Sequence, residues 1–156
     1  MNKIIATLTL SLATTFSFGA NSSASSHFNL AGNYHCTVHD QSGKIFHSTV
    51  TYTLDTKNSS FTEGYSSYHF KGVSQFGTVY LGEAILRGNS LAIYTYNAFP
   101  KKPNDIGLEI STVTQNTDEK GQTAIMLNSL LYDPLDKNGG SAIAISCLSS
   151  DNTQNS

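Results

Sequence analysis

Histidines, tyrosines and a few isolated carboxylates are the side chains here whose type and spacing can do chemistry. The five histidines are His27, His35, His39, His47 and His69. His35 and His39 fall on one side of an alternating run, and the hairpin register argued below sets His47 opposite Thr37, diagonal to both. Three imidazoles on one outer sheet face are a ligand set for Zn²⁺ or Cu²⁺. Diagonal sheet neighbours lie roughly 7–8 Å apart at the backbone. The bland alternative is a polar outer face of His and Thr, and no partner to orient the imidazoles can be named.

Tyr34 and Tyr52 are placed on the apolar side of their strands, and Tyr80 joins them if its side of the 78–96 hairpin is the inner one. Phenol rings there suit the wall of a small-molecule pocket, and ordinary core packing explains each of them too. Glu63, Glu83 and Glu109 lie in strand-like runs. Glu83 shares its side with Val79, Leu81 and Ile85. If that side is inward, Glu83 is a buried ionisable group and a ligand contact; if outward, it is a solubilising charge. Glu109 shares parity with Ser111 and is expected to look outward, with Leu108 and Ile110 inward. No Gly-x-Ser-x-Gly, HExxH or CxxC motif and no phosphate loop occurs. No catalytic residue, cofactor or metal is therefore assigned, apart from the histidine alternative.

Bulk properties narrow the partners. Of 156 residues, 13% are charged, and the formal charge is −2. No basic field is present to hold nucleic acid; Lys101-Lys102 and Lys120 are isolated in turn-like sequence. Residues 1–24 have a positive start, a short apolar core and small residues, the pattern of a secretory signal peptide of bacterial type. Its apolar core is too short and hydroxyl-rich to span a bilayer, so no stable membrane anchor is expected after cleavage. What remains is a single domain over residues 28–149 with a frayed tail over 150–156. The expected location is the periplasm or the medium. Two cysteines in an exported chain, Cys36 and Cys147, point to one disulfide, with two free thiols as the alternative.

The elements that must position these groups are strands. Tyr34, Cys36 and Val38 alternate with His35, Thr37 and His39, a period of two. Asp40-Gln41-Ser42-Gly43-Lys44 reads as a hairpin connection with Gly43 left-handed. That sets 38 opposite 46, 36 opposite 48 and 34 opposite 50, with both strands agreeing on the apolar side. Residues 55–60 read as a polar turn, and 61–70 as a strand with Gly64 at a bulge. Arg87-Gly88-Asn89-Ser90 reads as a two-residue turn pairing Leu86 with Leu91 and Ala84 with Ile93, though the inner face of this 78–96 hairpin stays open. Residues 97–106 hold Pro100 and Pro103 and read as a loop. Further strands are expected over 107–115, 122–132 and 141–148. No helical period stands out.

The fold class that follows is all-β: about eight antiparallel strands in an up-and-down barrel, closed by a first-to-last-strand disulfide, or else a two-sheet β-sandwich. Cysteine Cα atoms must lie within about 7 Å of each other, which brings the first and last strands together. The opening Gly32-Asn33-Tyr34, the successive hairpins and the returning last strand resemble the calycin barrels, the lipocalins and avidins. That resemblance implies a barrel plugged at one end by its first strand. The chain has no tryptophan and no clear C-terminal helix, and no biotin-binding residue carries over. Two function classes remain. One is a carrier of a small apolar or amphipathic ligand, with Tyr34 and Tyr52 near the mouth and the 97–106 loop at the rim. The other is a protein-binding module or inhibitor using exposed turns and the Tyr94/Tyr96 face. An uncharacterised enzyme is a third, weaker class. A void of several hundred Å³ inside the barrel distinguishes the first from the second.

Overall fold

Alternating polar and apolar residues make each strand two-sided, and a sheet with one dry side is stable only if that side is covered. Here the sheet covers itself. The computed structural model describes residues 29–99, 105–119, 121–134 and 141–150. The signal-peptide segment, residues 151–156 of the tail, Lys120 and the centre of the 97–106 loop lie outside them. Eight strands follow in chain order: β1 (Gly32–His39), β2 (Ile45–Ser60), β3 (Tyr65–Ser74), β4 (Val79–Arg87), β5 (Ser90–Asn97), β6 (Ile106–Thr117), β7 (Thr123–Asp133) and β8 (Ser141–Ser149). Each pairs antiparallel with the next, and β8 pairs with β1, so the sheet closes as a barrel in simple sequence order. The sandwich alternative is excluded, since the single sheet has no free edge.

The first hairpin has the register its turn demands: Val38 faces Phe46, Cys36 faces Ser48 and Tyr34 faces Val50. Asp40 holds that turn. Its carboxylate accepts from the Ser42 and Lys44 amides at 2.8 Å each, and Gly43 takes φ +79. Cys36 and Cys147 are direct cross-strand partners with Cα atoms 4.0 Å apart, and they form the disulfide. Their sequence separation is 111 residues; closing a loop of that size is worth about 4–5 kcal/mol in the chain-entropy account.

The second and third strands differ from the sequence expectation. Residues 55–60 are not a turn but the end of β2, with a register shift between Asp55 and Ser60. The Asp55 carboxylate accepts from the amides of Lys57 and Asn58 and from the Asn58 side chain. These local bonds replace the ladder bonds that the bulge breaks. The chain turns instead at 61–64, where Gly64 has φ +78.

The barrel is shut at one end. Leu30, ahead of β1, is fully buried. Its amide donates to the Tyr68 hydroxyl at 3.2 Å, and its carbonyl accepts from the Tyr34 hydroxyl at 3.0 Å. Behind this plug, Leu86, Leu91, Val113, Ile125 and Leu127 fill the interior.

Candidate ligand-binding cavity

The other half of the interior is not filled. A cavity of about 340 Å³ opens between the β1–β2, β3–β4, β5–β6 and β7–β8 ends of the barrel, within the range of small-molecule sites. Phe46 and Phe76 stand at the mouth with rings 5.8 Å apart, edge to face. Val38, Val50, Phe70 and Ile145 make apolar walls, and Asp105 and Asp133 sit at the rim. Two of the positions lining it, Gly72 and Gly107, carry no side chain and are closely packed by their neighbours. A Cβ at Gly107 would fall 2.7 Å from Leu131 and 2.8 Å from the Thr95 hydroxyl, and one at Gly72 would fall 3.1 Å from the Phe70 ring.

Of the residues singled out as ligand contacts, Tyr52 and Tyr80 line the cavity. Tyr52 is buried, and its hydroxyl pKa is pushed well up, first by loss of water and then by the charge of Glu109. Tyr80 donates to Asp105 at 3.4 Å. Burial and then the Asp105 charge raise its pKa. Tyr34 does not reach the cavity. It lies in the plug, edge-on to Tyr52 at 5.4 Å, with its hydroxyl pKa raised by burial.

Glu83 is on the outside, which corrects the inward option. Its face of β4 carries Ile85 outward, while Gly82, Ala84 and Leu86 are buried. Both Glu83 oxygens lie 3.1 Å from His69 Nδ1, and His69 Nε2 is 3.8 Å from Asp55. The interior is filled by the small and aliphatic side of β4, so the charge takes the wet side.

The expectation for β6 is also reversed. Leu108 and Ile110 point outward, at 50% and 72% exposure, while Gly107, Glu109, Ser111 and Val113 are buried. Glu109, at 7% exposure, is a carboxyl group at the cavity floor. The Ser111 hydroxyl donates to its Oε1 at 3.2 Å and is itself bonded to the Ser129 hydroxyl across β7. Loss of water raises the Glu109 pKa, and the Ser129 and Ser111 bonds only partly oppose it. Two-residue turns fix which side of a strand is inward; the long 97–106 loop does not. The signal that finds Glu109 is its pairing with Ile93, an inward residue of β5.

His35, His39 and His47 share one outer face, with His47 opposite Thr37. Among the described residues, no group of three or more His, Cys, Asp or Glu side chains is arranged to hold a metal. Diagonal spacing across the sheet spreads these imidazoles instead of converging them.

Fold and site together define a closed antiparallel barrel, plugged at one end and hollow at the other. No family model matches the sequence, and the search of curated proteins found no match. Among solved structures the chain is similar to a redesigned β-barrel, mFAP1, bound to DFHBI, with 13% identity, 75% of this chain and 93% of that one covered, and a TM-score of 0.47. It is also similar to the redesigned β-barrel b11L5F_LGL, with 10% identity, coverage of 78% and 91%, and a TM-score of 0.49. A third is EF1p2_mFAP2b bound to DFHBI, with 12% identity, coverage of 78% and 94%, and a TM-score of 0.49.

Proposed function

We propose that this protein is an exported carrier of a small apolar or amphipathic molecule, which it holds inside the barrel. The observation that supports the reading is the 340 Å³ cavity. A barrel of eight strands is narrow enough to be packed solid by side chains. This one is closed at its plugged end by Leu30, Tyr34 and Tyr68 and keeps a cavity toward the other end, walled by Val50, Phe70 and Ile145. Emptying half a core forfeits dispersion and burial, and a ligand restores both. The disulfide supports export, since such bonds persist in oxidising compartments. The test uses 1-N-phenylnaphthylamine, an apolar dye that brightens on leaving water. The mature protein is expected to take it up saturably, and Ser48→Phe, which puts a ring into the cavity, is expected to abolish uptake with the fold intact by circular dichroism. No uptake by the wild type, or equal uptake by the variant, rejects the reading.

A second reading, an interaction surface, has its own support on the outside of β4–β7. Ile85, Ala92, Ile110 and Leu130 line up across four strands, and Tyr94, Leu108 and Tyr132 line up beside them. Ile85, Tyr94, Leu108, Ile110, Leu130 and Tyr132 are each 44–72% exposed. At about half of the 150–250 Å² such side chains carry, they offer roughly 600 Å², near the ~800 Å² that each partner gives to a standard interface. Glu83 and Arg87 lie only at its β4 edge, so two copies meeting about a two-fold axis bring no like charges together at the centre. The occupant this face fits is a second copy of the chain.

A further inference from the structure

We propose that the molecule held in the cavity is an amphiphile with a cationic amine, and that its ammonium group sits against Glu109 while its apolar body lies along Val50, Phe70 and Ile145. This rests on the carrier reading above and names its ligand class.

The argument starts from proton counting at the floor. An ionised carboxylate offers about four acceptor sites. The neighbours that bond to Glu109 are two serine hydroxyls, with one proton each. Because Ser111 and Ser129 also bond one another, one of those two protons is used between them. At most one hydroxyl proton is then left for the carboxylate, and no positive charge is. A carboxylate so little compensated in an apolar wall is costly. An ammonium group has three N–H donors and the missing charge, and the resulting bonds are of the strong, charge-assisted kind.

The rest of the lining has the same sign. Among the described residues it carries Glu109, Asp105 and Asp133 and no lysine or arginine. The negative field therefore runs from rim to floor, with the deepest charge the least solvated. A fatty acid or phosphate monoester would carry its own negative charge into that field, and a neutral alcohol would leave Glu109 without a counter-charge. Glu109 also makes its charge felt across the barrel, where it contributes to the raised pKa of Tyr52.

Binding an ammonium group ionises Glu109 and so releases a proton wherever the unliganded carboxyl is still protonated. The other titratable groups facing the same space are Tyr52 from β2, Tyr80 from β4, Asp105 ahead of β6 and Asp133 of β7, while the His47 side chain is on the outer face. Proton release must therefore be assigned with a variant.

The experiment is isothermal titration calorimetry of the mature, oxidised protein and of Glu109→Gln with decylammonium, decanol and decanoate. These probes share one tail and differ in head group. Near neutral pH the wild type is expected to bind decylammonium at least about tenfold more tightly than either other probe. Glu109→Gln is expected to lose that preference while holding decanol as well as before. Repeating the titration at about pH 5, just above the ordinary carboxyl range, in buffers of different ionisation enthalpy is expected to show proton release in the wild type and less in the variant. Equal or tighter binding of decanol or decanoate by the wild type overturns the amine assignment. So does an ammonium preference that survives in Glu109→Gln, or proton uptake in place of release. Those results leave the carrier reading standing if 1-N-phenylnaphthylamine is taken up; failure of all three probes and of the dye removes both.

Discussion

Glu109 is where the residue scale decides most. A carboxyl group whose pKa rises on folding holds its proton to higher pH in the native state than in the unfolded chain. Between the ordinary carboxyl range and that raised value the native state binds more protons, so stability falls as pH rises through the window. Glutamine keeps the shape and removes the charge. Glu109→Gln is expected to raise stability at neutral pH by about 1–2 kcal/mol, the scale of an under-satisfied buried polar group. At about pH 3 the gain should vanish, since the carboxyl group is then protonated in both states. Thermal melts at the two pH values check this; a variant less stable than wild type at neutral pH would show that the carboxylate is well compensated in the empty barrel. Glu83 is the contrast: a glutamate on a strand of similar apolar content, but exposed and paired with His69. Strand identity does not distinguish these two groups; the side they face does.

At the scale of elements, the strands fall into those that pack and those that make room. β4 approaches β5 so closely at Gly82 that a Cβ there would lie 1.9 Å from the Tyr94 carbonyl oxygen. Backbone cannot give way as a side chain can. Gly82→Ala is expected to cost about 3 kcal/mol or more, whereas Gly107→Ala, whose neighbours are the movable ends of Leu131 and Thr95, should cost about 1 kcal/mol. Urea unfolding of the two variants compares them directly, and equal losses would refute the distinction. The first hairpin was legible in sequence because the Asp40–Lys44 turn fixes its register, and the Arg87–Ser90 turn likewise set β4 against β5, as the pairs Leu86–Leu91 and Ala84–Ile93 bear out. β6 was not legible. Its apolar residues, Leu108 and Ile110, alternate as a buried face should, and they face out because β5 already presents Leu91 and Ile93 to the interior.

For the whole molecule, closure matters more than any one strand. No helix among the described residues is long and apolar enough to cross a membrane. The outside is uneven: the β1–β2 side carries His35, Thr49 and Thr51, all paired in register, and the β4–β7 side carries the apolar rows. A surface so divided suits contact along one side of the barrel. Sedimentation velocity is expected to find a concentration-dependent dimer, and Ile110→Asp, which puts a charge at the centre of the face, is expected to leave a monomer whose melting temperature matches that of the wild type at dilutions where the wild type is itself monomeric. A wild type that stays monomeric at high micromolar concentration would discard the second copy as the occupant.

Sequence by itself determined the strand count, the first-to-last pairing and the disulfide, because period-two alternation, short turns and two cysteines of matching parity are local signals. It also placed Tyr52 on the inner side. Which face of β4 and β6 is dry, and so whether Glu83 or Glu109 enters the cavity, was decided only when the barrel closed. Both faces of those strands carry enough apolar surface to be buried, and only the neighbours' side chains, arriving from either side, choose between them.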